Sequence, residues 1–188
     1  MKVFQYKNYD HYVEEQMRGN KEKESRQFNG QVRIKEIHRR IPTTSVTSII
    51  CHGTRSGGEQ KEFLKYYPNA YVIGTEISDT ATKYELTVEH DFSVQKEQWV
   101  NKFDIVYSNA IDHAFDPTVT ITTWKEQLSP TGKLAVDWNT AHSLKSTAMD
   151  PVSGSVKEFK NFLAANQLKI EHEIPSNKWI TFICSIIG

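Results

Sequence analysis

The apolar and polar positions along this chain alternate between a pattern typical of strands and a pattern typical of helices. From residue 46 onward, short apolar runs rich in β-branched residues are separated by segments with an apolar residue every three or four positions. Such runs are typical of buried strands, and such spacing is typical of amphipathic helices. The strands predicted in this way are 46–51, 70–77, 84–90, 103–108, 133–138, 169–174 and 179–187. The helices predicted between them are 58–67, 95–101, 117–128 and 156–166.

The part of the chain before residue 46 has the helical pattern alone. Residues 9–17 and 31–41 each carry one apolar stripe, and Pro42 ends the second. The polar segment 18–29, with alternating lysine and glutamate, predicts a loop, and turns are predicted at 68–69, 129–132 and 175–178. We therefore expect 1–45 to form a helical cap or lid and 46–188 to form one Rossmann-like cofactor-binding domain.

The alternation of strands and helices predicts an α/β, doubly wound, mainly parallel sheet. The last two strands are an exception, because the short turn at 175–178 can connect only an antiparallel hairpin. A sheet that is parallel apart from its final strand follows from this pattern.

Composition narrows the class of protein further. A chain of 188 residues with 38% hydrophobic and 24% charged positions is typical of one globular domain. It has no apolar run long enough to span a membrane and no apolar signal-peptide core at its start, so we expect a cytosolic protein. The net charge is zero, and the basic surplus in residues 1–41 is interpreted as a solvated helical face, so nucleic-acid binding is not expected.

Cys51 and Cys184 lie in apolar runs and are expected to be buried free thiols. No Cys/His spacing resembles a zinc site, and no metal is predicted.

Residues 47–78 carry the first chemical signal. An apolar run ends in a turn that contains Gly53, Gly57 and Gly58, a helix follows, and the next apolar run ends at Glu76, 23 residues after Gly53. Glycine allows a tight turn, helix N-termini bind anions, and an acid at this spacing suits a ribose diol. Packing alone could also explain such a turn. Ligands of open parallel sheets bind beyond the carboxyl ends of the strands, so the residues there are the candidates for a site.

Three segments of the sequence resemble class I S-adenosylmethionine-dependent methyltransferases. They are H-G-T-R-S-G-G-E, V-I-G-T-E-I-S and F-D-I-V-Y-S-N-A-I-D-H-A-F-D-P, and the resemblance extends from residue 46 to the C-terminus. It implies a seven-stranded sheet of order 3-2-1-4-5-7-6 with strand 7 antiparallel. The chain departs from the usual G-x-G-x-G motif, because Arg55 lies in the middle of G-T-R-S-G-G. It also lacks an N-P-P-Y-like run, which disfavours a DNA amino-methyltransferase.

The resemblance implies a position for each part of S-adenosylmethionine. The methionine part would lie against Gly53, Thr54, Arg55 and Gly57, the ribose against Glu76, and the adenine between Ile77, Asp91 and Phe92. Ser108 and Asn109 would lie beside the sulfonium and the acceptor. Asp112 and His113 are the candidate catalytic bases, or else a helix cap and a packed histidine. His52 is interpreted as structural, and Tyr9, Tyr12 and Gln16 as a lid or as core residues.

The sequence thus favours a methyltransferase that acts on an unidentified, small-molecule acceptor. The alternative is a non-catalytic methyltransferase-like module that works through a partner. An NAD-dependent oxidoreductase fits less well, because the closing hairpin and the S-N-x-x-D-H segment match the methyltransferase pattern better. The oligomeric state is not indicated.

Overall fold

The computed structural model describes residues 1–26, 30–140 and 145–187. In chain order its strands are β1 (Lys2–Val3), β2 (Ser48–His52), β3 (Tyr71–Glu76), β4 (Thr87–Glu89), β5 (Phe103–Ser108), β6 (Leu128–Asn139), β7 (Val152–Ser153), β8 (Leu168–Ser176) and β9 (Trp179–Ile186). Its helices are α1 (Tyr9–Glu22), α2 (Gln31–His38), α3 (Gly58–Tyr66), α4 (Pro117–Gln127) and α5 (Val156–Ala165). Short 3-10 turns lie at Thr43–Ser45, Asp79–Lys83, Glu97–Trp99 and Ile111–His113.

Seven of the strands form one sheet of order β4-β3-β2-β5-β6-β9-β8. β9 is antiparallel to both of its neighbours, β6 and β8, and the other pairs are parallel. Numbered along the chain, this is the expected order 3-2-1-4-5-7-6, so the predicted fold class is confirmed. β2, an inner strand between β3 and β5, is buried along its whole length, as its continuous apolar run predicted.

Helices cover both faces of the sheet and enclose two cores. On one face, α4 and α5 contribute Trp124 and Phe159, and the Phe159 ring stacks on Trp138 at 4.2 Å between centroids. On the other face, α2 and α3 contribute Ile34 and Phe63. This two-sided burial explains why the central strands have no polar alternation.

Three local predictions are wrong, and one small sheet was not predicted. The loop predicted at 18–29 is helical as far as Glu22, because Asn20 and Lys21 bond to the distant turn Asp79–Lys83. Arg18 adds exposed ion pairs with Glu15 and Glu22, and residues 27–29 lie outside the described part. The helix predicted at 95–101 is only the turn Glu97–Trp99. The turn predicted at 129–132 belongs to β6, whose pairing with β5 jumps from Leu128 to Lys133 so that the intervening residues bulge. The sequence pattern also missed the two-stranded sheet in which β1 pairs with β7.

Both cysteines are buried free thiols, as expected. Burial raises the pKa of Cys184 to about 12, which makes its thiol unreactive. Among the residues that the structure describes, no helix has the length and apolar character that a bilayer crossing requires.

Candidate functional site

The turn after β2 is built around Gly53. Its φ of +70° lies in the left-handed region, and a Cβ at this position would stand 2.5 Å from the Ala110 Cβ. The amides of Gly53 and Thr54 both donate to the Thr75 carbonyl, at 2.9 and 3.0 Å, which fixes the turn on the end of β3. Arg55 also has a left-handed φ, +48°, although it has a side chain. The backbone at positions 53 and 55 is therefore held in a left-handed conformation that only glycine adopts without strain.

We expect Gly53→Ala to lower the free energy of unfolding by about 2 to 3 kcal/mol, because the methyl group adds both backbone strain and a clash with Ala110. Gly58→Ala is the matched control, since a Cβ there meets nothing within 4 Å and the residue is the first of α3. Urea unfolding of both variants measures the difference. Equal stabilities would show that the turn does not need glycine at position 53.

Glu76 ends β3 beside this turn and is buried. Its Oε2 accepts from the Arg55 amide at 2.9 Å, and its Oε1 accepts from the Ser78 amide at 3.2 Å. Burial raises the pKa of the carboxyl group. A carboxylate oxygen can accept two hydrogen bonds, so each oxygen can accept one more from a ligand in the adjoining cavity.

Asp91 and Phe92 follow β4, the neighbouring strand. Asp91 Oδ1 accepts from the Ser93 amide at 2.7 Å, and its Oδ2 accepts from the Tyr9 hydroxyl at 2.5 Å. The buried Phe92 ring packs edge-on against Trp124. Tyr9 therefore connects α1 to the acid that the resemblance assigns to adenine.

Glu59, in the first turn of α3, is a buried acid that the sequence did not assign to the site. Its Oε1 accepts from the Asn109 side-chain amide at 2.9 Å. Burial raises the pKa of Glu59 to about 7. The Arg55 side chain donates through Nη1 to the Arg26 carbonyl at 3.2 Å, which connects the glycine turn to the N-terminal segment. The position of Glu59, directly after Gly58 at the start of the helix, could have indicated from the sequence that it belongs to the site.

His113 lies at the end of the 3-10 turn Ile111–His113 and is half-buried. Its Nδ1 is 3.0 Å from the Gln16 Oε1 of α1. Its Nε2 is 3.9 Å from Asp112 Oδ1 and 3.8 Å from Asp150 Oδ1. Asp150 could not be assigned to the site from the sequence, because only the folded chain brings it to His113.

Helix α1 lies across the strand ends. Tyr12, Gln16 and Asn20 form its buried side, and Asn20 Oδ1 accepts from the Thr80 hydroxyl at 2.9 Å. Together with the Tyr9–Asp91 and Gln16–His113 contacts, α1 is bonded to three different strand-end loops. Tyr9 is 44% exposed, whereas Tyr12 is buried.

A cavity of about 250 Å³ lies between α1 and the strand ends. The expected site residues that line it are Gly53, Thr54, Arg55, Glu76, Ile77, Asp91, Phe92, Asn109, Asp112 and His113. Gly57 and Ser108 are not among the lining residues. Gly57 faces Thr87 instead, and the buried Ser108 hydroxyl donates to the His52 carbonyl at 3.1 Å.

His52 and Asp137 lie near the site but belong to the core. His52 bonds to Thr75 and Gln127 and stacks on Trp124, and burial lowers its pKa to about 3, so it is structural and neutral. Asp137 is buried against Arg33 of α2, with Nε and Oδ2 2.6 Å apart. Tyr107 and Thr181 donate to the same carboxylate, at 2.7 and 2.5 Å.

Solved structures of methyltransferases resemble this fold, although no sequence profile of a known family and no curated protein matches the chain. A Burkholderia thailandensis 1,6-didemethyltoxoflavin-N1-methyltransferase, solved with its substrate and S-adenosylhomocysteine, gives a TM-score of 0.70 at 12% identity over 95% of this chain and 87% of its own. A glycopeptide N-methyltransferase complexed with S-adenosylhomocysteine gives 0.67 at 11% identity over 85% and 90%. A mitomycin 7-O-methyltransferase gives 0.65 at 12% identity, over 84% of this chain but only 54% of its own.

The sheet order and these likenesses define the class of fold. The chain has the class I S-adenosylmethionine-dependent methyltransferase fold. At these identities the likeness shows the fold alone, and the assignment of the cavity rests on its own residues.

Proposed function

We propose that this protein is an S-adenosylmethionine-dependent methyltransferase with a small-molecule acceptor. The observation that carries the proposal is the buried Glu76 carboxylate at the end of β3, between the glycine turn and the Asp91–Phe92 pair, with each oxygen able to accept one further hydrogen bond. A ribose diol supplies two hydroxyl donors to such a carboxylate. The fold neighbours that were solved with S-adenosylhomocysteine support the same cofactor.

The lining residues suit the remaining parts of that cofactor. Asp91 can accept from the exocyclic amine of adenine, with Phe92 and Ile77 providing apolar contact. On the other side of Glu76, the cavity is lined by Gly53, Thr54 and the buried Glu59, whose ionised form suits the ammonium group of the methionine part. In this proposal, 1–45 form the cap and 46–188 the cofactor-binding domain.

Methyl transfer from a sulfonium needs little besides in-line positioning and removal of a proton from the acceptor. His113 and Asp112 line the cavity and are the residues proposed to take that proton. The cavity is closed on one side by α1, which favours a small acceptor.

A non-catalytic binding module is the second candidate. The observation that favours it is the Tyr9–Asp91 hydrogen bond, because it takes one of the acceptor positions that this carboxylate offers to an adenine amine. The two candidates differ in whether a methyl group is transferred, since a non-catalytic module could bind the cofactor or bind nothing.

Isothermal titration calorimetry with S-adenosylmethionine and S-adenosylhomocysteine tests the proposal. We expect binding to the unaltered protein, and Glu76→Ala should weaken it at least about tenfold, or about 1.4 kcal/mol, because both ribose contacts are lost. Glu76→Gln keeps one acceptor oxygen, so its affinity for the cofactor should lie between that of the unaltered protein and that of Glu76→Ala. Glu173→Ala, on the exposed side of β8, is the control.

Two results would contradict the proposal. Absence of binding of either compound at about 1 mM would exclude a cofactor site of useful affinity. Unchanged affinity in a folded Glu76→Ala variant would show that the ribose lies elsewhere.

A further inference from the structure

We propose that Asp112, His113 and Asp150 form a binding site for a divalent transition-metal cation. One ligand atom from each of the three residues lies within 4.8 Å of the other two. His113 Nε2 is 3.9 and 3.8 Å from the two carboxylate oxygens, which is too long for hydrogen bonds. Two ligands that each lie about 2.1 Å from one ion are separated by about 3 to 4 Å, so these distances fit an ion between them.

The environment of the histidine ring supports the same assignment. The Gln16 amide nitrogen donates to the Tyr6 hydroxyl at 3.1 Å and to the Ala148 carbonyl at 3.2 Å, so its oxygen faces His113 Nδ1 and accepts the hydrogen from it. In the neutral ring, the lone pair is then on Nε2 and points toward two carboxylates. Metal-binding histidines are oriented in this way by an acceptor at their other nitrogen.

The carboxylates come from two separate parts of the chain. Asp112 is buried in the 3-10 turn that also contains His113. Asp150 lies next to β7, in a turn closed by its own amide on the Thr147 hydroxyl and by the Thr147 amide on its carbonyl, both at 3.0 Å. These contacts fix the backbone of Asp150, whose Oδ1 lies 3.8 Å from His113 Nε2.

The donor set indicates the kind of cation. One imidazole nitrogen and two carboxylate oxygens suit Mn²⁺, Fe²⁺ or Zn²⁺ better than Mg²⁺ or Ca²⁺, which prefer oxygen alone. Three protein ligands leave coordination positions open, and all three residues line the cavity, so an oxygen atom of a bound molecule can complete the shell. This proposal replaces the expectation of a chain without a metal, which considered only Cys/His spacing. With a cation bound, His113 and Asp112 act as its ligands, so they can take the acceptor proton only in the cation-free protein.

Titration of the chelator-treated full-length protein with Mn²⁺, followed by electron paramagnetic resonance, tests the site. We expect one ion per chain, and His113→Ala and Asp150→Asn should each weaken binding at least about tenfold. Asp150→Asn is isosteric and the side chain is 39% exposed, so this variant should fold. His172→Ala and Asp10→Asn, at exposed positions, are the controls and should bind as the unaltered protein does.

The proposal is overturned if neither Mn²⁺ nor Zn²⁺ binds stoichiometrically at about 1 mM, or if binding survives both substitutions. In the first case, the three residues do not form a cation site. The measurement needs no cofactor, so its outcome is separate from that of the proposed function: failure to bind S-adenosylhomocysteine would leave the cation result unchanged.

Discussion

Arg33→Met is expected to lower the free energy of unfolding by about 3 to 5 kcal/mol. The substitution leaves the Asp137 carboxylate buried without its cation, and the hydroxyls of Tyr107 and Thr181 remain as its partners. A buried charge that loses its partner keeps the whole cost of its desolvation. Urea unfolding at about pH 7 measures the loss.

The double variant Arg33→Met/Asp137→Asn is the control. Asparagine keeps an acceptor for Thr181 but carries no charge, so the double variant should recover at least about 1 kcal/mol of the loss. An equally unstable double variant would show that the buried charge is not the cause.

The effect of Arg33→Met should also depend on pH. Burial raises the pKa of Asp137, and the Arg33 charge opposes this shift. Without Arg33, the folded-state pKa rises further above the unfolded one, so stability is lost as pH rises through the interval between them. The loss relative to the unaltered protein should therefore shrink when unfolding is measured at about pH 5 instead of about pH 7.

Glu59→Gln is expected to increase the free energy of unfolding above about pH 7, by roughly 3 kcal/mol. Burial raises the pKa of Glu59 from 4.5 to about 7, so the folded protein holds a proton that the unfolded chain has released. Stability then falls by about 1.4 kcal/mol per pH unit between these two values and levels off above the second. Glutamine resembles the protonated acid and can still accept from Asn109, so this loss disappears.

Urea unfolding across about pH 4 to 8 measures the difference between Glu59→Gln and the unaltered protein, which should be close to zero at the acidic end. Glu173→Gln, at an exposed position on β8, should follow the unaltered protein throughout. Parallel profiles for Glu59→Gln and the unaltered protein would contradict a raised pKa at this position.

Most of the sheet could be predicted because the pattern that identifies each strand lies within the strand's own residues. The continuous apolar run of β2 and the short connection between β8 and β9 are each contained in a few neighbouring residues. The end of α1 could not be predicted, because it is stabilised by contacts with a distant turn, Lys21 with Asp79 and Asn20 with Thr80. Such contacts override a local pattern that is typical of loops.

Some residues of the candidate site could likewise be predicted from the sequence, and others could not. Glu76 and Asp91 could be proposed from sequence because they follow neighbouring parallel strands, whose ends meet at one edge of the sheet. Ser108 also ends a strand, but its hydroxyl bonds back to β2 at the His52 carbonyl, and no local pattern reveals this. Asp150 lines the cavity from a distant part of the chain, and Tyr9 bonds to the lining residue Asp91, so both contributions required the folded structure.

The three attachments of α1, through Tyr9, Gln16 and Asn20, have a kinetic consequence. One rigid helix carries all three, so releasing one loop without the others would require the helix to bend or fray. We therefore expect the three loops to be released together when α1 moves away from the cavity. In amide hydrogen exchange, we expect the amides of α1 to exchange together, as one cooperative unit. A ligand bound in the cavity should slow the exchange of all of them.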